Sequence, residues 1–485
     1  MSDETTQAPA EAGGRLSGNL GVGHIAAMVI ATASPLGVMG GVAAFAMAFG
    51  NGYAVAATYL IIAILMLAFA YTLSRVTPFV RNAGAFFSYV GHGLGPMAGV
   101  ATAAMAWIVY YAVLVLVYAY VGLQLDAAVQ MLGGPAISWW IYTFLVMALI
   151  AYMGYHRIDL TTRVLAVTLT IEVLLIVIVD VAVTVQGGAE GLHGQGFLPS
   201  AIFPDGSGFA IAAMFCAMSF IGFEATAVFR DEARDPDRTV PRATYIAVIF
   251  IGVLYAGSAW ALSMAFGRDD LIEAGSMGAP VLLGAASTFV GALMADIIQV
   301  LLVTALFATA LSFHNILARY LHTLARANLI PTGLAQVHPR HRAPSNASAT
   351  MTLISGITFV LALVAGLDPI RHLATWGNGL SGLGFFILLT TTTASVFVFL
   401  IRQRTVARPS PLAYSITALG TIAFGALVYV AVANFGALAG GDTALAFTLI
   451  AIFPALATLA VVRALVLKKR SPERYAAVHE LISSP

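Results

Sequence analysis

Five ionisable side chains stand inside long apolar stretches of this 485-residue chain: Glu172, Asp180, Glu224, Asp296 and His314. A charge at the centre of a hydrocarbon layer costs at least about 2.5–3.5 kcal/mol for a residue such as Asp, so each needs a partner or a task. Glu224 follows a glycine-containing segment directly and can shed its charge by taking up a proton, chemistry that suits proton-linked gating. The alternative is a carboxyl bonded to nearby amides for structure alone. Glu172 could receive the amine of a cationic solute or hold a proton, and a structural hydrogen bond is its alternative. His314, beside Asn315, could relay a proton, although a lone helix histidine is more often a packing residue. Asp180 is read as near the outer surface, where an acid is cheap. Asp296 is read as facing a vestibule or a neighbouring helix. Neither is given a function.

The backbone offers chemistry of its own. Ala33-Ser34-Pro35-Leu36-Gly37 and Ser219-Phe220-Ile221-Gly222-Phe223-Glu224 each interrupt an apolar run. Proline removes an amide donor and clashes with the preceding turn, and glycine loosens a helix, so both runs are expected to break. An opened helix exposes amides at a positive dipole end, which suits a carboxylate. That role falls to the backbone from Ser34 to Gly37, with the Ser34 hydroxyl as a further donor. An ammonium group needs acceptors, and the freed carbonyls of Ala33 and of Ser219 to Ile221 could supply them. Phe220 and Phe223 are either pocket walls or core and lipid-facing aromatics. Ser381, within Gly377-Asn378-Gly379-Leu380-Ser381-Gly382, is a weaker candidate.

The elements that must position these groups follow from composition. The chain is 60% hydrophobic and 9% charged, against roughly a quarter charged in an average soluble domain. Twelve runs are long enough to cross a hydrocarbon core of about 30 Å. They fall near residues 23–48, 53–75, 97–123, 136–156, 162–186, 207–230, 242–267, 284–325, 347–367, 374–401, 411–435 and 442–467. The eighth exceeds one crossing, and its amphipathic end, 312–327, is expected to project beyond the membrane. With the N-terminus inside, 21 of the 23 Lys and Arg residues fall on the cytoplasmic side, leaving Arg268 and Arg371 outside. The positive-inside rule therefore places both termini in the cytoplasm. Residues 1–22 read as a disordered cytoplasmic tail and 468–485 as a C-terminal one. The broken runs are the first and the sixth, so each opens a set of five, over 23–186 and 207–401. Five is odd, so the second set lies upside down relative to the first, with 411–467 outside the repeat. Interrupted segments at matching places in two halves point to a transporter's midplane site.

Other classes are set aside. A net charge of +1 gives no field to attract nucleic acid. Cys216 is the only cysteine, so no intrachain disulfide or thiolate metal site can form. Gly21-Val22-Gly23-His24-Ile25-Ala26 matches a dinucleotide fingerprint in letters only, because no strand precedes it. Walker A, His-Glu-x-x-His and EF-hand patterns are absent, so neither nucleotide nor metal cofactor is expected.

With these residues in view, the sequence resembles the amino acid, polyamine and organocation transporter superfamily in its amino acid permease branch. The likeness rests on the Ser219 to Glu224 break followed by Asp231-Glu232-Ala233-Arg234-Asp235-Pro236 and Thr239-Val240-Pro241-Arg242-Ala243. Arg81-Asn82-Ala83-Gly84-Ala85-Phe86, with Tyr89 and Gly95-Pro96, is similar to the family's entry into span three. Asn315, Ala318-Arg319-Tyr320, Leu324-Ala325-Arg326 and Leu329-Ile330-Pro331 are similar to the end of span eight. The resemblance implies an all-α, twelve-helix, five-plus-five inverted-repeat fold of the LeuT-like type, with discontinuous helices one and six. It places Tyr110 and Phe313 toward the pocket by spacing. Met218 stands where arginine-binding relatives carry Trp, and Glu172 lies near the place where some relatives carry a Lys in lieu of sodium. The function implied is secondary transport of an amino acid or small amine across the plasma membrane. Proton-coupled import is the first expectation, with sodium left open, and Glu224, Glu172 and His314 are the coupling candidates. An exchanger of the same fold is the alternative, and a membrane-embedded sensor or enzyme a more distant one. The solute and membrane lipid are the only partners expected.

Overall fold

The computed structural model describes residues 21–80, 85–156, 162–224, 226, 233–338, 343–407 and 409–483. Most of the expected N-terminal tail, the Arg81-Asn82-Ala83-Gly84 piece, and Asp231 and Glu232 lie outside the described residues. So do the cations Arg15, Arg157, Arg230, Arg340, Arg342 and Arg408.

The chain is built from helices. The first half contains α1 (Val22–Thr32), α2 (residues 35–51), α3 (Val55–Val76), α4 (Ala85–Leu94), α5 (Pro96–Met131), α6 (Trp139–His156) and α7 (Thr162–Gln186). The second contains α8 (Gly208–Met218), α9 (Pro236–Met264), α10 (Arg268–Met277), α11 (Pro280–Phe289), α12 (Ala292–Arg326), α13 (Ser345–Val364) and α14 (Thr375–Arg402). Three more follow: α15 (Pro411–Leu438), α16 (Thr443–Arg470) and α17 (Pro472–Ser483). Local chemistry sets several starts. Proline opens α5, α9, α11, α15 and α17, at the position where its missing N–H costs nothing. Ser410 and Asp442 cap α15 and α16 by accepting from the amides of Ala413 and Leu445. Among the described residues, nine helical stretches are long and apolar enough to cross a membrane, the first being the interrupted stretch Val22–Phe79.

At 36 residues, α5 is about 54 Å long and forms the axis of the bundle, packing against α4, α6, α12, α14 and α16. Peripheral helices bury one side and leave large apolar side chains on the other. On α7 these are Leu174, Ile178 and Val181, and on α16 they are Phe447, Leu459 and Val462. Such faces are costly in water and natural against hydrocarbon.

One expectation is corrected. The apolar run at 284–325 is not one helix but two, α11 and α12, separated at Gly291. Its backbone sits at φ +136°, a conformation that a side chain disfavours. Its amide and that of Val290 both close back onto the Ala286 carbonyl, ending α11. The amphipathic end of the run does form: α12 continues to Arg326, with Phe313, His314, Leu317, Ala318, Leu321 and Ala325 buried at helical spacing. The segment read as a C-terminal tail includes α17, whose Val478 is buried in a cluster with Phe87, Val100 and Leu329.

Candidate substrate site

Both expected interruptions are present. Between α1 and α2, Ser34 adopts φ +49° and ψ +71°, a left-handed conformation that costs a non-glycine residue roughly 1–2 kcal/mol. Pro35 then restarts the helix, and two π-helical stretches, Val38–Val42 and Met47–Asn51, loosen it further. α8 stops at Met218 and gives way to turns through Glu224, with Gly222 at φ +110°. The two breaks touch. A Cβ on Gly222 would lie 3.1 Å from Thr32 Cγ2, so glycine is required there for its conformation and for the close approach of the chains.

Where they meet is a cavity of ≈ 50 Å³. Of the candidate residues, Ala33, Ser34, Gly37, Met218, Ser219, Ile221 and Phe313 line it. Ser34 is 6% exposed, and its Oγ has no hydrogen-bond partner. Gly37 brings its Cα close to that hydroxyl, since a Cβ there would lie 2.8 Å from Ser34 Oγ. Gly37 stands in the first turn of the restarted helix, where amides have no acceptor within the helix itself. One unbonded hydroxyl and one first-turn amide thus converge at the start of a helix, an arrangement suited to a carboxylate.

The remaining backbone groups of the first break are already engaged. The Leu36 amide donates to Glu172 Oε2 at 3.3 Å, and the Tyr255 hydroxyl donates to the Ala33 carbonyl at 3.3 Å. Tyr120 donates to the Gly40 carbonyl. A carbonyl has two lone pairs, so Ala33 keeps one for a ligand. Glu172, on α7, therefore ties a distant helix to the opened backbone and sits behind the cavity wall.

Glu224 plays the equivalent part at the second break. It accepts from the Tyr110 hydroxyl at 2.5 Å and from the Gly222 amide at 2.9 Å. It is buried and linked to the axial helix α5. Tyr110 turns its hydroxyl to Glu224 and does not line the cavity, although its ring lies 6.0 Å from that of Phe313, which does. Phe220 and Phe223 pack in the core, the first against Tyr255, the second between Phe69 and Phe385. Pro35 and Leu36 are buried beside the break. Ser381 donates to the carbonyls of Gly377 and Asn378 on its own helix.

The other ionisable groups are placed elsewhere. His314 Nε2 is 2.9 Å from Ser348 Oγ, between α12 and α13. Asp180 accepts from the Ser258 hydroxyl at 2.5 Å, so it has a partner on α9. Asp296 is exposed on α12. At the start of α9, Arg238 in its first turn and the N-cap Asp235 form an exposed pair at 3.9 Å.

The residues missed from sequence are mostly hydroxyls. Tyr255, Tyr120 and Tyr59 buttress the breaks, the last bonded to Ser219 Oγ at 2.9 Å, and Thr32 and Thr309 stand on the cavity wall. A signal existed: a tyrosine in the middle of an apolar run must find a partner for its O–H.

The fold and the paired breaks define a multi-pass helical membrane protein with an internal cavity. Residues 24–475 match the amino acid permease family model, so the chain belongs to the amino acid permease family, whose relatives are transporters and not enzymes. It is 26% identical over 299 residues to the low-affinity putrescine importer PlaP of Escherichia coli, covering 59% of this chain and 62% of that protein. It is 26% identical over 263 residues to the branched-chain amino acid permease BcaP of Bacillus subtilis, covering 54% of this chain and 51% of that one. The matched region thus spans about half to three fifths of these curated relatives. A crystal structure of a manganese transporter from Eremococcus coleocola, in complex with an aromatic bis-isothiourea substituted compound, has a similar fold. Its TM-score is 0.56 at 12% identity, covering 94% of this chain and 99% of that one.

Proposed function

We propose that this chain carries an amino acid or related small amine across the plasma membrane by alternating access, as a proton-coupled importer. The observation that carries this reading is the cavity between two apposed helix breaks, with the Ser34 hydroxyl unbonded at its wall beside the first-turn backbone of Gly37. The solute's carboxylate binds that hydroxyl and the Gly37 amide. Its ammonium binds the free lone pair of the Ala33 carbonyl and the carbonyls of Ser219 and Ile221 across the cavity. The two relatives, one a putrescine importer and the other a branched-chain amino acid permease, support the amine-bearing class.

In this reading the architecture is twelve spans with both termini cytoplasmic. Residues 23–186 and 207–401 form the inverted repeats, and α15 and α16 lie outside them. Each break has one buried acid: Glu172 on the Leu36 amide and Glu224 on the Gly222 amide. Proton uptake weakens a carboxylate as an acceptor, so protonation of either acid loosens the tie between a break and the helix that holds it. That couples proton movement to opening, with H+ as the driving ion. His314, bonded to Ser348 at the α12–α13 contact, takes no direct part.

The test is uptake of labelled amino acids and amines into proteoliposomes, with proton and sodium gradients imposed separately. Accumulation driven by an inward proton gradient is expected. Accumulation driven only by sodium would overturn the coupling assignment, and movement only with solute on the far side would identify an exchanger.

A further inference from the structure

We infer that the transported solute is a small amino acid with an uncharged aliphatic side chain, rather than a diamine or a cationic or aromatic amino acid. The inference rests on the substrate site proposed above and deepens it.

Among the described residues, the cavity wall carries no charged side chain. Beyond the breaks it is made of hydrocarbon, including Val38, Val42, Val113, Leu116, Val117 and Leu306. Its side-chain hydroxyls are almost all spent as donors within the protein. Thr32 donates to the Met28 carbonyl, Thr309 to Ala305, Ser219 to Phe215, and Tyr120 to Gly40. Ser34 alone on this wall is left without a partner. Free donors at the site are therefore confined to the break segments, and beyond them the wall offers a second ammonium only the lone pairs of neutral hydroxyls and no acid.

A second ammonium, as on lysine or a diamine, would meet apolar carbon with no acid to pair it, the situation that makes a buried charge costly. The two nearest acids do not relieve this. Glu172 holds the Leu36 amide from behind the wall, and Glu224 is taken by Tyr110 and Gly222. An aliphatic side chain instead gains about fourfold in affinity for each methylene buried. The cavity is also compact, ≈ 50 Å³, which favours a small aliphatic side chain over an aromatic ring.

The test uses the full chain in proteoliposomes, with labelled alanine, valine, lysine, putrescine and phenylalanine supplied singly and in competition. Valine, with two more carbons to bury, should bind about fifteenfold tighter than alanine, and lysine, putrescine and phenylalanine at least tenfold more weakly than valine. Leu306→Ala, which removes hydrocarbon from the wall beside Gly37, should raise phenylalanine uptake relative to valine. Lysine or putrescine carried as well as valine would overturn this inference and leave the transport reading standing. If none of the five solutes moves under any gradient in a folded, reconstituted preparation, the transport reading fails and this inference with it.

Discussion

Glu224 separates structure from coupling in a single position. Its carboxylate accepts from the Tyr110 hydroxyl and the Gly222 amide, both inside the bundle and away from solvent. Glu224→Ala removes both acceptors. An unsatisfied buried donor costs about 1–3 kcal/mol, so the two together cost roughly 2–6 kcal/mol, before the cavity left behind is counted. Native proteins have only about 5–15 kcal/mol in hand, so this variant should melt at markedly lower temperature or fail to accumulate. Glu224→Gln is different. Its amide oxygen can accept from Gly222, and its NH₂ can donate to the Tyr110 oxygen, so both contacts survive in an isostere that takes up no proton. The Gln variant should therefore fold, bind solute and exchange it in counterflow, yet fail to accumulate it under an imposed pH gradient. Thermal unfolding in detergent and proteoliposome uptake, run on wild type and both variants, measure the two effects separately. An alanine variant as stable as wild type would refute the bonding account. A glutamine variant that still concentrates solute on a proton gradient would refute the coupling account.

Gly222→Ala places a side chain at φ +110° and 3.1 Å from Thr32 Cγ2. It should lower stability by about 1–2 kcal/mol and depress uptake, both readable from melting and transport of one preparation. Gly291→Ala meets no neighbour within 4 Å, but its φ of +136° is strained for any side chain. It should cost a similar amount of stability while leaving the KM for uptake unchanged, since it lies between α11 and α12. Tyr255→Phe removes the donor to the Ala33 carbonyl, a loss of about 0.5–1.5 kcal/mol, and should show as a melting shift without loss of expression.

The long helices were legible because length and apolarity are written along the chain, and the breaks because Pro35, Gly37 and Gly222 sit inside apolar runs. The split of the eighth run was not. Val290-Gly291-Ala292 holds one glycine in an apolar stretch, and glycine is common within unbroken membrane helices. Glu172 and Glu224 could be singled out from the cost of a buried charge, but their partners could not. Leu36 is 136 residues from Glu172, and Tyr110 is 114 from Glu224, so no local period records either bond. The same reason kept Tyr59, Tyr120 and Tyr255 out of view. Their roles depend on which helix faces which, and that is decided by packing of the whole bundle.

The central claim is that the solute's carboxylate lies between the Ser34 hydroxyl and the Gly37 amide. Equilibrium binding of labelled valine to purified wild type and Ser34→Ala tests it directly, with melting temperature as the control. Loss of one hydrogen bond to a charged group, about 1.5–3 kcal/mol, predicts affinity weaker by roughly tenfold to a hundredfold at unchanged stability. Unchanged affinity in a folded Ser34→Ala protein would contradict it.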